Sequence, residues 1–245
     1  MNLYLLRVGA DSTEKGGGFW SHVCPDRSYV FMPIPEKIEY LEIQKAVTYQ
    51  DYRWNNQSVL DYLPGRIRNA PNPEYIHDDP EFRTFTYGSP QFDPRGREKN
   101  YKTLSEMGKG DVLVFYAAFT RNGNNIEGFY FFAYFIVDRV VNLDNITREE
   151  KGLVESNHHF IHRNSLQENQ VIVKGYSEHS RVFEKAVLLS SRENDRKRCN
   201  YYPCKDVRCK LDCYCKSMNR SSIRMIDLSE KGILRFKQYL DSNSV

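Results

Sequence analysis

GDVLVFYAAF at residues 110–119 and FYFFAYFIVDRVVNL at residues 129–143 decide the fold. Both stretches consist almost wholly of β-branched, aromatic and aliphatic residues, which favour strands. The turn-forming residues RNGNNIEG separate them, so the two stretches predict a β-hairpin. Because neither stretch alternates polar with apolar residues, we expect both strands to be buried on both faces.

Further strand signals lie on both sides of this hairpin. LYLLRV at residues 3–8 predicts a first strand, and the two prolines of YVFMPIPE at residues 29–36 place a second extended segment at a sheet edge. Val171–Val173 and Ala186–Leu189 predict two more short strands. Residues 64–100 hold six of the ten prolines, so we expect little regular structure there.

The last predicted element is a helix. Apolar residues recur at Ile233, Phe236 and Leu240, and Ser229 supplies an N-cap. We find no internal repeat and no linker in the 245 residues. The sequence therefore predicts a single α+β domain with a mixed, mostly antiparallel β core, short helices and a C-terminal helix.

Composition argues against a disordered chain and against membrane helices. Hydrophobic residues make up 40% and aromatic residues 13%, which is too apolar for disorder. The longest apolar run, Phe129–Val137, is far shorter than the roughly 20 residues that a membrane helix needs. We see no signal-peptide pattern either, so we expect a soluble, cytoplasmic protein.

Charge is unevenly distributed along the chain. The net charge is only +3, but residues 192–224 hold ten basic and four acidic residues. Positive charge is thus concentrated in one segment, from which it could attract phosphate. We expect residues 1–190 to form the main domain, and the cysteine-rich basic segment with the closing helix, residues 191–245, to pack on it.

The stretch YIHDDPEFRTFTYG at residues 75–88 combines proton-transfer groups with aromatic rings. In an extended segment His77 and Asp79 share one face, and together they could act as acid, base or metal ligand. Alternation along the same segment would put rings on both sides, where Tyr87 could stack on a base. The alternative is a loop whose acids are solvated and whose rings anchor it to the core.

Polar residues also follow the first predicted strand. Asp11 and Ser12, with Arg7 before them and Gly17 in a glycine run after them, could hold a phosphate or a base edge. The alternative is an Asx-turn beside a surface arginine. The glycine run matches neither a Walker A loop nor a dinucleotide-binding motif.

A third group of candidates lies later in the chain. Asn157 is followed by His158, His159 and His162. On a helix His158 and His162 would face one way and could bind a metal with a carboxylate. Lys174 and Arg181 could add positive charge for a phosphate. The alternative for the histidines is a polar surface loop.

Five of the six cysteines fall within seventeen residues. Their spacing is no standard zinc motif, yet four thiolates could hold a structural zinc or an iron–sulfur cluster, with basic residues between them for nucleic acid. Disulfides and free thiols are the alternatives. The candidate ligands are Cys199, Cys204, Cys209, Cys213 and Cys215.

Four motifs in order carry a family resemblance: MNLYLLRVGADST with GGGFW, HDDPEFRTFTYG, GDVLVFYAAF, and NHH followed by VIVKG and SRVFEKAVLLS. Together they resemble the third of the nucleotide-modification-associated domain families, up to about Ser190. This resemblance implies a prokaryotic or viral protein that acts with DNA or nucleotide base modification systems. GKGDVLVFY also resembles the middle of PUA-like and EVE-like barrels that bind modified bases.

Two main hypotheses follow. The first is an enzyme that acts on a base or nucleotide, with His77, Asp79, Asp11 and His158 converging in its active site. The second is a module that reads a modified base, without turnover, in an aromatic pocket built from Tyr87, Tyr116 and their neighbours, or an accessory subunit of a modification or restriction system. DNA or a nucleotide is the expected partner, with RNA as an alternative. The predicted nucleotide-binding residues are Arg7, Ser12, Gly17, Tyr87, Tyr116, Asn157, Lys174 and Arg181.

Overall fold

A computed structural model describes most of the chain: residues 1–10, 20–91, 100–121, 126–162, 169–191, 202–211, 218 and 222–245. Among these residues, no helix is both long enough and apolar enough to cross a membrane.

Short strands and helices surround two long strands. The strands are β1 (Leu3–Arg7), β2 (Ser21–Val23), β3 (Tyr29–Val30), β4 (Ile34–Pro35), β5 (Arg53–Trp54), β6 (Gln57–Ser58), β7 (Ile76–His77), β8 (Thr86–Pro90), β9 (Val112–Thr120), β10 (Gly128–Asn142), β11 (Gln170–Gly175), β12 (Arg181–Ser191), β13 (Tyr202–Pro203) and β14 (Arg224–Ile226). The α-helices are α1 (Gly65–Arg68), α2 (Tyr101–Ser105), α3 (Arg148–Val154), α4 (His158–Ile161), α5 (Lys205–Leu211) and α6 (Glu230–Asn243). Single 3-10 turns span Ile38–Tyr40, Ile43–Lys45, Leu60–Tyr62 and Leu143–Asn145.

Ten of the strands found in the described residues form one curled sheet. Its main path runs β13-β12-β10-β9-β1-β14, while β11 joins β10 to β8 and β2 joins β9 to β3. The pairs β1–β9 and β2–β9 are parallel, and the other pairs in the sheet are antiparallel. The predicted α+β fold with a mixed, mostly antiparallel core is thereby confirmed.

The long strand β10 organises the sheet. Its first part pairs with β12, its last part pairs with β11, and β9 pairs along most of its length. Register shifts between Phe131 and Ala133 and between Val137 and Arg139 bend the strand so that it can serve these partners in turn. The predicted hairpin of β9 and β10 is confirmed, and every residue of β9 is buried.

The two faces of β9 belong to two separate hydrophobic cores. Phe115 and Phe119 enter a core built largely from the irregular segment between β2 and β8. Val114 and Tyr116 enter a second core, which α5 and α6 cover. The ring of Phe236 on α6 packs 5.6 Å from the ring of Phe131. The C-terminal helix is therefore part of the fold, with Ser229 as its N-cap.

Strand β8 was not expected, because it lies in the proline-rich segment of residues 64–100. It pairs antiparallel with β11, with Tyr87 opposite Val173 and Gly88 opposite Ile172. Tyr87 and Thr86 are ordinary strand residues, but Gly88 and Pro90 are poor strand formers and conceal the pattern. Long-range pairing with an apolar strand overrides the weak local preference.

Two glycines provide a matched test of the close contact between β10 and β12. A Cβ at Gly128 would overlap the backbone oxygen of Ser190, whereas a Cβ at Gly152, in α3, would meet nothing within 4 Å. Gly128→Ala should therefore lower the free energy of unfolding by about 1–3 kcal/mol. Gly152→Ala should raise it by about 0.5–1 kcal/mol, because alanine favours a helix. Urea unfolding checks both values, and equal effects of the two substitutions would contradict the packing.

Candidate functional site

Three histidines and two acids meet where three chain segments come together. We name them the histidine–acid cluster, and its members are Glu36, His77, Asp79, His158 and His159. Glu36 follows β4, His77 ends β7 and Asp79 lies two residues beyond, while both remaining histidines belong to α4. Glu36 and His77 are half-buried and the other three are buried.

Strand pairing brings Glu36 and His77 together across the sequence. Strands β4 and β7 are antiparallel with Ile34 opposite His77, and the Glu36 amide donates to the Tyr75 carbonyl at 2.9 Å. In this register Glu36 Oε2 lies 2.7 Å from His77 Nδ1. The carboxylate therefore fixes the orientation of the imidazole ring.

Each member of this pair shifts the pKa of the other. Burial alone would raise the pKa of Glu36, but the imidazoles of His158 and His77 outweigh burial and hold that pKa well below its usual range. Burial alone would lower the pKa of His77, but the Glu36 carboxylate outweighs it and raises that pKa. The pair therefore favours an ionised Glu36 beside a protonated His77.

Asp79 is the most deeply buried acid of the cluster. Both of its carboxylate oxygens lie 3.1 Å from the Gly88 amide, and Asn157 Nδ2 donates to Oδ1 at 2.8 Å. Burial raises the pKa of Asp79 to about 7, although the charge of His77 and these donors act in the opposite direction. A Cβ at Gly88 would overlap the ring of His159, so only glycine fits between the two.

Asn157 connects α4 to Asp79. Its Oδ1 accepts from the His159 amide at 3.0 Å and thereby caps the helix. Its Nδ2 also donates to Thr86 Oγ1 at 3.0 Å. One buried side chain thus fixes the helix that carries two histidines relative to β8 and to the acid.

The two helix histidines differ in their partners. His159 Nδ1 lies 3.1 Å from Gln170 Oε1, and its Nε2 lies 3.8 Å from Asp79 Oδ2. His158 Nε2 is buried and has no hydrogen-bond partner among the described residues, and its nearest acid oxygen is Glu36 Oε2 at 3.6 Å.

Burial keeps both helix histidines neutral. Burial and the adjacent charge of His77 lower the pKa of His158 to about 3, and burial lowers the pKa of His159 well below its usual value. The His77 ring lies 4.1 Å from the His158 ring and 5.0 Å from the His159 ring. Neutral imidazoles packed against a charged pair offer lone pairs that a proton or a metal ion can use.

An open groove of about 610 Å³ reaches the cluster from solvent. Glu36 belongs both to the groove and to the cluster. The side chains of Glu36 and His77 are 15% and 16% exposed, whereas that of His158 is 2% exposed. The groove is lined by Glu36, Lys37, Ile38, Glu39, Pro73, Glu74 and Tyr75. A molecule in the groove would therefore meet Glu36 first, and His77 is the residue bonded to its carboxylate.

Two overlapping groups in the cluster could each hold a metal ion. The first consists of Glu36, His77 and His158, and the second of His77, Asp79 and His159. Within each group the ligand atoms lie within 4.8 Å of one another. Both groups combine imidazole nitrogen with carboxylate oxygen, which is a ligand set for zinc or iron(II).

The residues after Pro80 form a turn rather than an extended segment. The buried Glu81 carboxylate accepts from the Arg83 amide at 2.7 Å and the Thr84 amide at 3.0 Å, and Phe85 has a φ of 55°. The expected alternation of rings is therefore wrong here. Phe82 and Phe85 both pack against the core. The Phe82 ring lies 5.7 Å from the Phe132 ring, and the Phe85 ring lies 5.6 Å from the Phe135 ring.

Comparison with known families gives a clear match. The sequence model described as nucleotide modification associated domain 3 matches residues 2–213. The chain belongs to the nucleotide modification associated domain 3 family. The match extends past Ser190, where the expected resemblance ended. No curated protein and no solved structure matches significantly, so the resemblance to PUA-like barrels stays a prediction.

In this family member, the cluster contains several of the residues that the sequence predicts. His77, Asp79 and His158 meet in it, and Asn157 holds it in place. His162 lies beside it, with its ring 4.5 Å from the His158 ring and its Nδ1 accepting from the Glu42 amide. Asp11, Ser12 and Gly17 lie outside the described residues.

The other predicted binding residues lie apart from the cluster or near its edge. Tyr87 is half-buried against Phe115, and Lys174 Nζ donates to the Thr84 carbonyl. Tyr116 lies in the second core, on the opposite face of β9 from Phe115. The structure therefore does not bring Tyr87 and Tyr116 together in one aromatic pocket.

Two predicted cations also lie elsewhere. Arg7 stacks on Phe129, with 4.7 Å between its guanidinium carbon and the ring centre. Arg181 pairs with Asp241 on α6 at 3.4 Å and lines a separate groove of about 280 Å³. Neither is among the residues that line the groove beside Glu36.

Three of the five predicted cysteine ligands, Cys199, Cys213 and Cys215, lie outside the described residues. Cys204 precedes α5, and its Sγ donates to the Leu188 carbonyl at 3.5 Å. Cys209 is exposed on α5. Zinc at the cysteines stays a prediction.

Two residues of the site escape prediction from the sequence: Glu36 and Gln170. Glu36 ends an apolar extended segment 41 residues before His77, and no local spacing connects the two. His159 lies next to His158, and its role as a cluster member depends on the helix orientation that Asn157 sets. The one signal in the sequence for Glu36 is its position as the polar residue that ends an extended segment, as His77 ends β7.

Two helix caps test the role of Asn157. Thr147 caps α3 at the surface and has no contact with the cluster, so Thr147→Ala should cost about 1 kcal/mol. Asn157→Ala removes a cap and also a donor to the buried Asp79, so it should cost about 2–4 kcal/mol. Chemical denaturation of both variants measures the difference. Equal losses would show that Asn157 acts only as a cap.

Proposed function

We propose that the protein binds a base of DNA or of a nucleotide in the groove beside Glu36 and processes it at the histidine–acid cluster. The observation that carries this proposal is that one buried cluster of imidazoles and carboxylates opens, through Glu36, into a groove. Membership of a nucleotide-modification-associated family supports a nucleotide as the substrate.

The groove suits a base better than a phosphate. Among its described lining residues, Glu36, Glu39 and Glu74 are acidic and Lys37 is the single basic residue. This charge repels phosphate, whereas Ile38, Pro73 and Tyr75 offer apolar surface and a ring on which a base can pack. Carboxylates accept hydrogen bonds from amino groups of bases.

The proposed site uses Glu36, His77, Asp79 and His158. Glu36 would contact the base because it lines the groove, and His77, with its Nδ1 2.7 Å from the Glu36 carboxylate, would act beside it. Asp79 and His158 lie behind them, where they can position His77 or share a metal ion with it. Asp11 remains a predicted participant outside the described residues.

A reader of modified bases is the second candidate. The apolar part of the groove, formed by Ile38, Pro73 and Tyr75, would bind a base without any reaction. In that case a base would bind to the protein and leave it unchanged. The two functions differ in whether the mass of the bound base changes.

Mass spectrometry of nucleosides tests the proposed function. Purified protein, incubated with genomic DNA and with mixed nucleotides, should convert one nucleoside into a product of different mass. His77→Gln should slow this conversion by about 100-fold or more, because it removes the imidazole that contacts Glu36 beside the groove. His179→Gln is the matched control, since His179 is exposed and lies outside the cluster.

The outcomes separate the candidates. Conversion by the parent protein and by His179→Gln, but not by His77→Gln, supports processing at the cluster. Binding of a nucleoside without a mass change favours the reader. Equal conversion by His77→Gln would contradict the assigned site.

A further inference from the structure

We propose that Glu36, His77 and His158 bind one divalent transition-metal ion of the zinc or iron(II) class at the inner end of the groove. As a cofactor of base processing this ion rests on the proposed function, but its binding can be measured without any nucleotide.

The unsatisfied nitrogen is His158 Nε2. A buried ring nitrogen normally has a hydrogen-bond partner, and an exception needs a physical reason. His158 is only 3% exposed, and within the described residues its Nε2 has no hydrogen-bond partner. It lies 3.6 Å from Glu36 Oε2, so it faces the acid and the ring of His77. A metal ion between these groups would use its lone pair.

Two of the three distances between ligand atoms are close to those that an ion needs, and all three lie within 4.8 Å. Two ligand atoms that share a tetrahedral zinc at about 2.1 Å lie about 3.4 Å apart. The pair of His158 Nε2 and Glu36 Oε2, at 3.6 Å, is close to this separation. The pair of Glu36 Oε2 and His77 Nδ1, at 2.7 Å, must open by about 0.7 Å, as the ion replaces the shared proton.

Access and competing partners favour this group over the second one. Asp79 already accepts from Gly88 and Asn157, and His159 Nδ1 already contacts Gln170. Both are buried, whereas Glu36 lines the groove through which an ion can enter. Asp79 and His159 therefore serve better as the layer around His77 that orients it.

The ligand set and the local charge select the class of ion. Two imidazoles with one carboxylate suit zinc and iron(II), whereas calcium and magnesium prefer oxygen alone. Three protein ligands would leave a coordination position for water or a base. Glu39 in the groove is paired with Lys37, so the Glu74 carboxylate is the lining acid that adds attraction for a cation.

Titration of the full chain with Co²⁺ and Zn²⁺, after treatment with a chelator, tests the proposal. The parent protein should bind one ion with visible Co²⁺ absorption bands typical of nitrogen and oxygen ligands. His158→Gln and Glu36→Gln should each weaken this binding by about 100-fold or more, because each removes a ligand. His179→Gln should bind as the parent does, and circular dichroism confirms that each variant is folded.

The cysteines are a competing source of metal binding. A cobalt–thiolate site gives charge-transfer absorption in the near ultraviolet, and the histidine–acid site does not. X-ray absorption at the zinc edge of the one-zinc parent protein gives the same distinction without any substitution. Nitrogen and oxygen neighbours alone support the proposal, whereas sulfur neighbours, or no bound ion, overturn it.

Failure of this proposal can be distinguished from failure of the proposed function. No bound ion, together with a nucleoside conversion that needs His77, would overturn the metal site alone. A bound ion that depends on His158, without conversion or binding of any nucleoside, would overturn the proposed function and leave the metal site.

Discussion

Burial of β9 and β10 on both faces is the constraint on which the rest of the structure depends. The helices α5 and α6 cover one face. The other face is covered by the irregular, aromatic-rich chain between β2 and β8, whose rings include Phe31, Trp54 and Phe82. Because this covering chain has few ladder hydrogen bonds of its own, its buried polar groups need other partners.

Those partners are side chains, and they create the site. Asp79 binds the Gly88 amide and Asn157, and Glu81 binds the amides of a turn. Each buried acid is thus satisfied, as a stable fold requires. His158 Nε2 departs from this rule, and it faces the part of the cluster that reaches a groove. Such local departures are expected where function, rather than stability, selects a residue.

The sequence predicts what is local and apolar in this fold. The hairpin and the C-terminal helix follow from hydrophobic runs and periodicity, and both are confirmed. The chemistry of His77 and Asp79 is also visible in the sequence, but the pairing of His77 with Glu36 depends on contacts between β4 and β7. Alternation fails at Phe85 because a turn replaces the extended segment. The alternation of residues also cannot tell which face of β9 Tyr116 occupies.

By the proposed function, a base binds in the groove beside Glu36. A crystal structure of the protein grown with a nucleoside monophosphate would locate it. We expect a base in this groove, packed near Tyr75, with its reacting edge toward Glu36 and the adjacent His77. A base bound instead on the opposite face of the sheet, beside Arg7 and Tyr116, would contradict it.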